Sequence, residues 1–125
     1  MRDKELALEI LSQICRSAQI VLDRFEPITE VNDLAGSAEG MEKMDSICMQ
    51  LVAIGESLKK LDKITDYKLL SQYSEIDWKG AKGLRDIITH QYFEVDAEAI
   101  FYVCQNRIRP LLETIKRIKQ DINPL

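Results

Sequence analysis

Apolar residues return at three- and four-residue steps through most of this 125-residue chain, and that period argues for amphipathic helices. Ala7, Ile10, Leu11, Ile14, Ala18, Val21 and Phe25 follow it, which predicts a first helix over residues 3 to 25. Leu8, Cys15 and Leu22 add a second stripe, so the apolar face is wider than one neighbouring helix requires. Pro27 ends the run, because the residue before a proline is driven out of the helical region. Residues 27 to 37 hold Pro, Asn, Asp, Gly and Ser and read as a loop, with Ser37 or Gly36 placed to cap the second long helix. Met44, Ile47, Leu51, Ile54, Leu58 and Leu61 then set the same period over about 38 to 62. Met41, Cys48, Val52 and Gly55 fill a second side, and a helix apolar on two sides belongs at the centre of a bundle.

Residues 62 to 77 are mixed and polar, with one short helical turn expected around Tyr67 to Tyr73. Asp77 stands as the N-cap of a helix that begins at Trp78 and buries Trp78, Ala81, Leu84 and Ile88. After the segment EVDAEA, a last helix is expected from about 96 to 121, striped by Ile100, Val103, Cys104, Ile108, Leu111, Leu112, Ile115, Ile118 and Ile122. Pro110 lies inside it, and its ring should kink the helix or split it in two. Four main helices with short connections predict an all-α protein, an antiparallel bundle of four to five helices, in a single domain over residues 1 to 125. Only five Gly and three Pro interrupt the chain, and 46% apolar residues are enough for a core. The extra apolar surface of the first helix fits either a homodimer or a broad core.

The net charge is −4 and the pI about 5.1. A general nucleic-acid coat protein is usually basic, so any nucleic-acid contact here must be local or built by two chains together. Cys15, Cys48 and Cys104 are odd in number, form no CxxC pair and fall in apolar helical patterns. They read as reduced, buried small hydrophobes of a cytoplasmic protein. No N-terminal run resembles a signal peptide, and no stretch is long enough to span a membrane.

The one histidine, His90, sits in the string RDIITHQYF, with Arg85 five residues before it and Tyr92 two after. No glycine-rich phosphate loop, no HExxH and no Cys/His cluster is present, and the acidic residues are scattered. Candidate chemistry is therefore metal-free and built on Arg85 and His90, with no cofactor. Arg offers a rigid fork of donors suited to phosphate oxygens, and His exchanges a proton near neutral pH. Together they suit RNA cleavage by its own 2′-hydroxyl, which yields a 2′,3′-cyclic phosphate and spares DNA. On an ideal helix Arg85 and His90 point about 140° apart, while Tyr92 returns to within about 20° of Arg85. A shared site needs a deformed helix end, convergence at the helix terminus, or two copies facing across a dimer axis. Asp86, four residues before His90, could hydrogen-bond the imidazole and raise its pKa. The plain alternatives are a capping or surface His, a solvated Arg and a Tyr that packs. Gly55 reads as close helix packing or a site-lining position, and Glu56 as a solvated charge or a group near the site.

The string RDIITHQY resembles the R-x-x-x-x-H-x-Y motif of HepT toxins in the HEPN superfamily. LVAIGESLKKL (51 to 61), the IDW before the motif helix, GLRDIITHQYFEVD (83 to 96) and the Pro-containing last helix resemble that family in the same order. The likeness covers about residues 40 to 120 well and the first helix loosely. It implies a HEPN helical bundle that dimerises with two motifs facing, and a metal-independent endoribonuclease toxin in which Arg85 and His90 are catalytic and Asp86 supports them. It also implies an MntA-type nucleotidyltransferase antitoxin that transfers AMP from ATP to Tyr92. ATP and Mg²⁺ would belong to that partner, and the added bulk and negative charge would stand where RNA phosphate should bind. Two other readings remain: an interaction module that binds the nucleotidyltransferase without cutting RNA, and a nucleotide-binding helical domain acting on small molecules.

Overall fold

The computed structural model describes residues 2–90 and 96–123, and the side chains of Arg2, Ile87, Thr89 and His90 are outside that description. Six helices run through it: α1 (Arg2–Phe25), α2 (Asn32–Ala35), α3 (Ala38–Ile64), α4 (Trp78–His90), α5 (Ala97–Asn106) and α6 (Ile108–Ile122). A single 3₁₀ turn at Leu70–Gln72 lies between α3 and α4, and the described residues include no strand. The chain is the all-α bundle that its periodicity predicts.

Short-range signals set the helix boundaries. Ser37 is extended at the start of α3 and its hydroxyl accepts the Gly40 N–H at 3.0 Å. A Cβ on Gly40 would collide with the carbonyl of Asp33, so glycine alone lets the preceding loop lie against α3. That loop is not wholly irregular. The Asp33 carboxylate accepts from the Thr29 and Glu30 amides and the Thr29 hydroxyl, which winds one turn of helix and buries Leu34. Asp77 caps α4 as read from the sequence, accepting the Gly80 N–H at 3.0 Å. Asp96 caps α5 by accepting from Glu98 at 2.9 Å.

The expected last helix is split at Arg107, three residues before Pro110. A proline ring clashes with the carbonyl four residues earlier, here that of Asn106, the last residue of α5. Pro110 itself lies in the first turn of α6, where amide donors lack helical partners anyway.

The core lies where α3 packs against α1 on one side and α4 on another, with α6 against α1. Ile10, Leu11, Ile14, Ile47, Leu51, Ile54, Leu58, Ile115 and Ile118 are all almost fully buried there. Leu8, Cys15 and Leu22, the second stripe of α1, are half-buried. The link into α4 is anchored to α6: the Tyr73 hydroxyl donates to Asp121 at 2.6 Å, and the Trp78 indole donates to the Tyr73 carbonyl at 2.7 Å. Arg117 lies over the Tyr73 ring and pairs with Glu75. Among the described residues no helix is long and apolar enough to cross a membrane.

Candidate functional site

α4 runs antiparallel to α3 and close to it because Gly55 has no side chain. A Cβ there would meet the Lys82 carbonyl at 3.2 Å, the Ala81 carbonyl at 3.3 Å and the Arg85 amide at 3.4 Å. The packing reading of Gly55 is the one the structure supports. Its effect is local to the motif, since the next residue, Glu56, now faces Arg85.

Three ion pairs run along the seam. Glu56 Oε1 takes Arg85 Nε at 2.9 Å, Asp86 Oδ2 takes Lys59 Nζ at 3.5 Å, and Asp62 Oδ2 takes Lys82 Nζ at 2.5 Å. Arg85 also reaches the neighbouring Asp86 at 3.2 Å. The Arg85 side chain is 45% exposed, and carboxylates orient its guanidinium. The hydrogen bond from Arg85, and then the charge of Lys59, hold the Asp86 carboxyl below the usual carboxylate range. Asp86 is thus a permanent anion at neutral pH. Asp62 is buried, and Lys82 is the cation that balances it.

Arg85 and His90 are both carried by α4, whose backbone is helical from Trp78 to His90. Five residues of regular helix separate them by about 7.5 Å along the axis and about 140° around it. On such a helix a common site needs a deformed end, convergence at the terminus or a second copy. The expected contact of Asp86 with the His90 ring falls outside the described side chains. Tyr92 falls outside the described residues.

The structure adds Glu56 and Lys59 to the Arg85 cluster. Glu56 was an open question in the sequence and Lys59 carried no signal at all. Both are far from Arg85 along the chain, and only the α3–α4 crossing brings them together.

A family model described as Ribonuclease HepT-like matches residues 18–118. A Methanocaldococcus jannaschii protein named "Putative RNase MJ0127" is 30% identical over 77 residues, which are 62% of this chain and 60% of that protein. A Caldanaerobacter subterraneus subsp. tengcongensis protein named "Putative RNase TTE0752" is 33% identical over 70 residues, which are 56% of this chain and 59% of that protein. The matched stretch spans at most 60% of the length of these two relatives. No solved structure matches the chain.

Proposed function

The chain belongs to the ribonuclease HepT-like family, and from that premise we propose that it is an endoribonuclease whose Arg85 and His90 cut RNA without a metal ion. The observation that supports this most is the Arg85 guanidinium, oriented by Glu56 and Asp86 on the helix that also carries His90. In the reaction a histidine takes the proton of a ribose 2′-hydroxyl, and that oxygen bonds to the adjacent phosphorus. The bond from phosphorus to the 5′-oxygen breaks, and an acid protonates the departing oxygen. Arg85 offsets the charge that builds on the five-coordinate phosphorus. In a homodimer two copies of His90 could divide the base and acid roles, which answers the 140° separation within one helix.

The wider reading is that of a cytoplasmic toxin restrained by an MntA-like nucleotidyltransferase antitoxin. That partner, using its own ATP and Mg²⁺, would add AMP to Tyr92. A phosphodiester two residues from His90 would place negative charge where substrate phosphate must come. The alternative, a module that binds the nucleotidyltransferase without cutting RNA, draws support from the net charge of −4.

Purified protein incubated with RNA in the presence of a chelator should give fragments ending in 2′,3′-cyclic phosphate. It should leave a 2′-deoxy substrate intact. Equal cleavage by wild type, Arg85→Ala and His90→Ala would refute the site. Co-expression with the nucleotidyltransferase should add an AMP-sized mass that Tyr92→Phe abolishes, and light scattering should find a dimer at micromolar concentration.

A further inference from the structure

Next to the Arg85 cluster the α3–α4 seam opens into a groove of about 720 Å³. Lys59, Lys60 and Lys63 line it from α3, and Lys79 and Lys82 from α4. Glu56 and Asp86, the direct partners of Arg85, line the same groove, so it is continuous with the candidate site. Five lysines stand against three carboxylates (Glu56, Asp62 and Asp86), a local balance of +2 in a chain whose net charge is −4. Lys59 and Lys82 are matched by Asp86 and Asp62. Lys60, Lys63 and Lys79 are exposed and make no ion pair with the described residues.

Tyr67 also lines the groove, with 62% of its surface exposed. It sits in a turn where Asp66 and Tyr67 have φ of 53° and 60°. Left-handed backbone is strained for an L-residue, and glycine would carry such a turn without that strain. The Tyr67 amide closes α3 by donating to the Asp62 carbonyl at 2.8 Å, while its ring is left beside the lysines instead of in the core.

We propose that this groove is a track for single-stranded RNA, leading the strand to or from Arg85, with Tyr67 as a platform on which one base stacks. The proposal rests on the ribonuclease reading and deepens it. Lysine rows flanking an exposed ring are the combination that holds unpaired strands, because phosphates meet the cations and a splayed base meets the aromatic face. From Glu56 to Lys63 the wall runs about 10 Å along α3. That is room for about three nucleotides at a stacked rise of about 3.4 Å. It also reconciles an acidic protein with an RNA substrate: the groove carries a local excess of positive charge although the chain as a whole is negative.

The test uses the full chain with Lys60, Lys63 and Lys79 all replaced by glutamine. The probe is a short single strand with 2′-O-methyl riboses, which cannot be cut, and binding is followed by anisotropy over a range of salt. Each phosphate contact contributes about 0.7 to the slope of log K against log salt on a single strand, so the triple variant should lose about 2. The matching triple arginine variant should keep the wild-type slope. Tyr67→Ala should weaken binding about tenfold and Tyr67→Phe should not. If the triple glutamine variant melts early, the three single replacements should each lower the slope by about 0.7.

In cleavage assays the glutamine variant should raise KM for a long RNA while leaving kcat/KM for a dinucleotide unchanged. An unchanged slope, or an equal loss in the arginine variant, overturns the track. So does equal cleavage of long RNA by wild type and the glutamine variant, which leaves the ribonuclease reading standing. Binding with the expected slope but no cleavage by wild type supports the track and sinks the ribonuclease reading. A slope that survives while binding to the nucleotidyltransferase is lost overturns the proposal and gives the groove to a protein partner.

Discussion

Replacing Gly55 by valine tests whether the close approach of α3 and α4 assembles the Arg85 cluster. The three atoms that face a new Cβ, at 3.2, 3.3 and 3.4 Å, are all backbone atoms of α4, so none can rotate away. Alanine alone asks the helices to part by a few tenths of an ångström. It gains about 1 kcal/mol of helix propensity over glycine, which roughly offsets the overpacking, and Gly55→Ala should be near neutral. Valine adds two methyl groups against the same backbone, recovers only a few tenths of a kcal/mol in propensity, and should cost about 2 kcal/mol net. For a chain of this size an unfolding entropy of about 2.1 cal/mol/K per residue converts that to a Tm about 8 °C lower. The same displacement carries Arg85 away from Glu56, so RNA cleavage should fall further than the lost stability explains. Thermal melts of Gly55→Ala, Gly55→Val and the solvent-facing control Ala53→Val, each followed by a cleavage assay below its transition, measure both effects. If Gly55→Val melts within about 2 °C of wild type, or Ala53→Val loses as much, close packing at Gly55 is not what joins the two helices.

Other outcomes are expected on the same physical grounds. Burial pushes the Cys48 thiol up to about 11 and the Cys104 thiol up to about 12, whereas Cys15 is raised less and is half-buried. Alkylation of native protein near pH 8, read by mass spectrometry, should therefore label Cys15 first; Cys104 reacting before it would contradict the packing. Asp86 has a depressed folded pKa, so its contribution to stability is present above the ordinary carboxylate value of about 3.9 and is lost as pH falls through the folded value. An NMR titration should place it low and find it raised by Arg85→Ala and by Lys59→Ala. Lys82→Ala leaves the buried Asp62 without its cation and should cost about 2 kcal/mol in urea melts; a loss below about 0.5 kcal/mol would show that water reaches Asp62. Asp96→Ala removes the α5 cap and should cost about 1 kcal/mol, with Asp96→Asn recovering most of it.

Much of the fold was legible because helices are written in short-range code. The three-and-four spacing in α1 and α3, the caps at Ser37 and Asp77, and the break forced by Pro110 all depend on residues within about one or two turns of each other. The turn of α2 escaped because its cause is a side-chain carboxylate, Asp33, gathering donors from Thr29 and Glu30, in a stretch whose composition reads as loop. The motif residues Arg85, Asp86, His90 and Tyr92 were legible as a string, and Arg85 and Asp86 meet side by side.

The company Arg85 keeps was not legible. Lys59 and the lysines at 60, 63, 79 and 82 look in sequence like the solvated charges of any helix, and Glu56 reads equally as one of these or as a group near the site. Their convergence depends on which faces of α3 and α4 meet, and the bare Cα of Gly55 lets the two backbones come close there. Periodicity says that a face is buried but does not say against what, because burial is non-directional while an ion pair is not. Residue order alone was enough to specify the long helices and the motif. Packing set the motif's arginine at the end of a lysine-lined groove, since only the crossing of two helices can place charges from distant parts of the chain within hydrogen-bond reach.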